Sequence, residues 1–157
     1  MTKDVMNRNA KDNDYLHKDF HGALSAGLIY LEERFGANAV REYLWQFAKA
    51  YYAPLTDDVN RRGLVALRDH FQKIYTLEQA IFTLALSENE LILNLEACPA
   101  VMHIQAKGYP LSPRFYETCK TVNQALCDET PFAFELVTYE PATGQSIQKF
   151  YRRSPKP

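Results

Sequence analysis

The chain has 157 residues, 46% of them hydrophobic and 24% charged, with 18 Lys+Arg against 19 Asp+Glu and a formal net charge of -1. That length supports one domain with a real core, and the balanced charge removes the electrostatic basis for nucleic acid or an anionic membrane as partner. No apolar run nears the roughly 20 residues that span a bilayer, and the polar stretch Met1 to Asp14 holds no apolar signal region, so the expectation is a cytoplasmic protein.

Residues 1–13 read as a disordered N-terminal segment and 14–153 as a single α+β domain. From about Tyr15 to Phe35 apolar residues recur at Phe20, Leu24, Leu28, Leu31 and Phe35, a helical period, and Gly36 is a natural stop. A second helix begins near Asn38, carries Val40, Tyr43, Leu44, Phe47 and Tyr51, and ends before Pro54. A third runs from about Asp57 or Asp58 to Ile74, with Val59, Leu64, Leu67, Phe71 and Ile74 inward. The period then changes. Gln79 to Ser87 and Glu90 to Cys98 read as a hairpin, and Pro99 breaks the second strand into a loop that reaches Ser112. Ser112-Pro113 starts a helix that continues to about Cys127, and Phe132 to Glu140 pairs with Gln145 to Arg152. The whole predicts an N-terminal three-helix segment, then two β-hairpins separated by a helix, forming a four-stranded antiparallel sheet with helices packed on it.

The chemistry-bearing residues concentrate in the second half. Glu96 and Cys98 lie two apart on the expected strand and so share a face with Ile92 and Asn94, while Leu91, Leu93 and Leu95 take the core face. That mixed face suits a sheet surface covering a pocket; the simpler alternative is a solvated Glu96 beside a half-buried Cys98. His103 follows shortly after and is the nearest imidazole that could activate the thiol. Cys119, Asn123 and Cys127 form an i, i+4, i+8 row on the last helix. Packing explains at least one of those two thiols, whereas a buried Asn123 amide needs partners. His17 and His21 share a helix face, a weak metal signal that reads more simply as one surface and one partly buried histidine. Three cysteines is an odd number, which argues for reduced thiols or metal ligands over a secreted disulfide framework. There is no C-x-x-C pair, so any transition metal such as zinc would be assembled across elements from Cys98, His103, His17 and His21. Gly22 and Gly27 sit inside a helix, where they permit close packing rather than phosphate binding.

Three segments carry a resemblance: Asp14-Tyr15-Leu16-His17-Lys18-Asp19-Phe20-His21, Glu96-Ala97-Cys98-Pro99-Ala100, and the helix from Ser112-Pro113-Arg114-Phe115 to Asn123-Gln124-Ala125-Leu126-Cys127. Together they resemble small bacterial proteins of the L-2-amino-thiazoline-4-carboxylic acid hydrolase-like family. The resemblance implies a hydrolase that opens a C–N bond of a cyclic amidine or related sulfur-containing small molecule. Such a reaction needs an activated water and a proton donor for the leaving ring atom. Glu96 is then the candidate base, His103 or His21 the candidate acid, and Cys98 a nucleophile or metal ligand, with His21, Cys119 and Asn123 as substrate-binding groups. The element order also resembles the vinyl-reductase-type domain, which implies the alternative of a non-catalytic small-molecule-binding or sensor module. A third alternative is a homodimer formed through aromatics such as Trp45, Tyr51 and Tyr52.

Overall fold

The computed structural model describes residues 18–155, so the segment expected to be disordered, and His17, lie outside the described residues. The protein is α+β, with six helices and one four-stranded antiparallel sheet among those residues. Helix α1 (Asp19–Phe35) carries Asp19 in its first turn, where the helix dipole favours an acid. Gly36, at φ 86, ends it with its N–H on Glu32 O at 2.9 Å. Helix α2 (Ala37–Tyr51) buries Val40, Leu44 and Ala48, one per turn.

The third expected helix is two. Pro54 begins α3 (Ala53–Arg62) instead of merely ending α2, because a proline in the first turn sacrifices no helical hydrogen bond. Gly63, at φ 70, then breaks the run, and α4 (Leu64–Leu77) follows. The loop expected after Pro99 is instead helix α5 (Pro99–Ala106), with Pro99 again in the first turn and Cys98 as its N-cap residue. The last helix, α6, starts later than Ser112 and spans Glu117–Cys127; the Ser112 hydroxyl caps the preceding turn by accepting the Arg114 N–H at 3.0 Å.

Strands β1 (Phe82–Leu86), β2 (Glu90–Leu95), β3 (Phe132–Tyr139) and β4 (Ser146–Arg152) pair in the order β1-β2-β4-β3, so the two hairpins join through β2 and β4. Registers Leu91↔Phe150, Leu93↔Gln148 and Leu95↔Ser146 put six buried side chains on the face that meets the helices. The opposite face is open and carries charge, with Lys149 Nζ 2.8 Å from Glu90 and opposite Glu135. The face of Ile92 and Asn94 is therefore not the one that covers a pocket, and β2 ends at Leu95, so Glu96 and Cys98 do not share a strand face.

Two apolar clusters form the core. One joins α3, α4, the end of α6 and the sheet around Leu67, Leu126 and Phe150. The other joins α1, α2, α5 and α6 around Leu28, Leu44 and Ile104, and Tyr52 packs against both. Gly22 is where α1 meets the Tyr109 ring, since a Cβ there would lie 2.6 Å from Tyr109 Cδ2. Between the clusters the core does not close, and that gap is the candidate site. Among the described residues no helix is long and apolar enough to cross a membrane.

Candidate functional site

A cavity of about 200 Å³ lies between α1, α2, α4, α6 and the sheet. Its walls are largely aromatic, with Phe47, Tyr52, Phe71, Tyr75 and Phe115 among them, and polar side chains including His21, His70, Glu78, Cys98, Asn123 and Gln148 reach it, as does Cys119. An apolar hollow with a few convergent polar groups is the usual form of a small-molecule site.

The structure divides the six residues singled out from the sequence. His21, Cys98, Cys119 and Asn123 line the cavity. Glu96 and His103 line a separate open groove of about 510 Å³, together with Lys18 and Gln79. Strand β2 ends at Leu95 and the chain turns into α5, which sends the Cys98 side chain inward and leaves Glu96 exposed. His103 Nε2 shares a hydrogen bond with Asp19 Oδ1 at 2.9 Å, tying α5 to the start of α1. Cys127 is not at the site; it packs in the core among Val59, Leu64 and Phe132.

Glu78 lines both compartments. It follows α4 as its C-cap residue, its side chain is 7% exposed, and Oε1 lies 3.5 Å from His21 Nε2. Burial pushes its carboxyl up to about 7. Burial also pulls His21 below the usual histidine range, helped by the nearby charges of His103 and Lys18. Near neutral pH the pair thus combines an uncharged imidazole with a carboxyl poised to gain or lose its proton, a pattern that concentrates at functional sites. Glu78 was legible in principle. Leu67, Phe71, Ile74 and Glu78 continue one inward stripe at helical spacing, and a carboxylate on an apolar stripe is the informative exception.

The amide of Asn123 is oriented from the sheet. Its Nδ2 donates to Gln148 Oε1 at 3.1 Å, and Gln148 Nε2 donates to Ser146 Oγ at 3.0 Å. These three polar residues are buried on the core face, so the chain of bonds fixes how the carboxamide meets the cavity. Tyr52, pushed by burial up to about 12, and Tyr75, raised well above the usual range by burial, remain protonated phenols.

The thiols are held protonated. Burial raises Cys98 more than the N–H groups of Ala100 and Val101 lower it. Burial pushes Cys119 and Cys127 each up to about 12. Since the thiolate is the reactive form, Ellman's reagent at about pH 8 should label all three thiols slowly in the native protein and rapidly in denaturant. Rapid native labelling of Cys98, located by peptide mapping, would show an activation that burial does not predict.

Among the described residues no group of three or more His, Cys, Asp or Glu side chains is placed to hold a metal ion. Cys98 and His21 face the cavity while His103 faces the groove, so these donors do not fit a shared ion. Set against protein-family models, curated proteins and solved structures, the chain has no match.

Proposed function

We propose that this protein is a small hydrolase that binds a cyclic, nitrogen-containing molecule in the aromatic cavity and opens a C–N bond of its amidine-type ring. The observation that carries the reading is the Glu78–His21 pair at 3.5 Å on the cavity wall, with Glu78 raised to about 7. General acid–base catalysis works best with groups that titrate near the working pH. In this reading ionised Glu78 takes a proton from water as its oxygen bonds to the amidine carbon. The ring nitrogen then receives that proton, and the C–N bond breaks as the added hydroxyl gives its own proton to Glu78, leaving the carbon as a carbonyl; that second proton passes from Glu78 to solvent or to the freed amine, restoring the ionised carboxylate. His21 holds Glu78 in place, and Asn123 hydrogen-bonds the ring. The resemblance to the 2-amino-thiazoline-4-carboxylate hydrolase-like family supports the reaction class, with Glu78 in the role that the sequence suggested for Glu96.

The test is turnover of 2-amino-thiazoline-4-carboxylate and of 2-amino-thiazoline, followed by chromatography of the products. Glu78→Gln should lower kcat by on the order of 100-fold or more, the usual contribution of a positioned acid–base group. Glu96→Gln should change it little, because Glu96 lies in the groove. Turnover that survives Glu78→Gln would sink the assignment. Saturable binding without product would instead favour a binding or sensor module, a reading supported by thiols held in their unreactive form around an aromatic hollow.

A further inference from the structure

We propose that the cavity selects planar organic cations, seated with their charged edge on the Glu78 carboxylate, over neutral or anionic molecules of the same shape. The inference rests on the cavity being the ligand site and does not require hydrolysis. Its first support is the wall itself. Aromatic rings present negative faces that attract cations and repel anions, and here they surround a hollow that contains a buried carboxyl. Its second support is the charge inventory. Among the described residues the lining supplies two imidazoles, His21 and His70, both held below the usual range chiefly by burial, and no lysine or arginine. Among the described residues of the cavity wall, an anionic ligand therefore meets no lysine or arginine, whereas a cation meets Glu78.

Among the described residues, the titratable and charged groups in the two compartments that Glu78 lines come from several elements. His21 approaches from α1, with Lys18 and Asp19 on the groove side. His70 and Tyr75 belong to α4, Glu96, Cys98 and His103 to the segment from β2 into α5, and Cys119 to α6. A cation placed on the carboxyl stabilises its ionised form. Capture at low pH therefore drives one proton from Glu78 to solvent, while capture above its titration releases none. With the carboxyl titrating at about 7, affinity for a permanently charged ligand should rise about tenfold between about pH 6 and about pH 8 and then level off.

Benzamidine, benzamide and benzoate form a test set of similar shape with positive, neutral and negative ends. Calorimetry at about pH 6, in two buffers of different ionisation enthalpy, reads affinity and proton release together. Benzamidine should bind saturably with release of close to one proton, and benzamide and benzoate should bind at least tenfold more weakly. Glu78→Gln should abolish the proton release and reduce the preference for benzamidine. Benzamide binding as tightly as benzamidine, benzamidine binding without proton release, or no saturable benzamidine binding would each overturn the proposal. If Glu78→Gln does not fold, the three-ligand comparison on the unaltered protein still decides. A protein that binds benzamidine as described but hydrolyses neither thiazoline loses the hydrolase reading and keeps this one.

Discussion

Gly144→Val should be the most damaging single change outside the aromatic core, costing about 3 kcal/mol and lowering Tm by roughly 6–12 °C. Two independent effects add. Gly144 sits at φ +67, a conformation that a β-branched residue adopts only with strain. A Cβ there would also land on Cys98 Cβ and come within 3.0 Å of Val101 Cγ2. The β3–β4 turn is clamped onto the start of α5 at this point, with the Cys98 N–H on Thr143 O at 2.8 Å and Gln105 Nε2 on Ala142 O at 2.7 Å. Pushing the turn away would move Cys98, which belongs to the cavity wall. Gly27→Ala is the matched control. It lies inside α1 with nothing within 4 Å of the added Cβ, and it should stabilise by up to about 1 kcal/mol through helix propensity. Thermal melts of the two variants read the contrast, and a Gly144→Val protein melting within a degree or two of the parent would refute the clamp.

Phe150→Ala should cost about 3–5 kcal/mol, the range for deleting a buried ring. Phe150 is fully buried on β4, with its ring centroid 5.5 Å from Phe71 and 4.9 Å from Phe134. It faces Leu91 on one neighbouring strand and Phe134 on the other. Urea unfolding should show a lower midpoint with an unchanged slope, because the folded state would still bury nearly the same surface. The effect should also reach the cavity. Phe71 lines the cavity while resting on Phe150, so the variant should bind benzamidine more weakly even at temperatures where it is fully folded. Full affinity in the folded variant would show that the Phe71 wall holds its position without this support.

The α+β class and the two hairpins were legible because period and turn residues carry them. Leu91, Leu93 and Leu95 alternate onto the core face as their spacing requires. The dual meaning of proline misplaced two helix starts, while the break at Gly63 and the later start of α6 carry no such signal in the sequence. Pro54 and Pro99 look like breaks in the chain, yet each begins a helix. Reading Pro99 as a loop residue also extended β2 by three positions, which put Glu96 and Cys98 on one imagined face. The site was half legible. His21, Cys98, Cys119 and Asn123 do meet in the cavity; helical spacing singled out three of them, and its place at the end of a strand-like run singled out Cys98. Glu78 and Gln148 were overlooked, since each is one polar residue on an otherwise apolar stripe, and its meaning comes only from what the fold brings opposite it.

The strand order β1-β2-β4-β3 also constrains how the molecule can be made. Each hairpin can close from local sequence, but the central β2–β4 seam pairs Glu90 with Tyr151 and Leu95 with Ser146, residues far apart in the chain with α5, α6 and β3 between them. On the ribosome the first hairpin and its four helices emerge long before β4, and they must wait with the inner edge of β2 unpaired. The sheet, and with it the Gln148 wall of the cavity, can be completed only after Ser146–Arg152 has been synthesised. Long-range closure of this kind slows folding in general, so a nascent chain stalled before β4 is expected to present an unpaired strand edge to its neighbours.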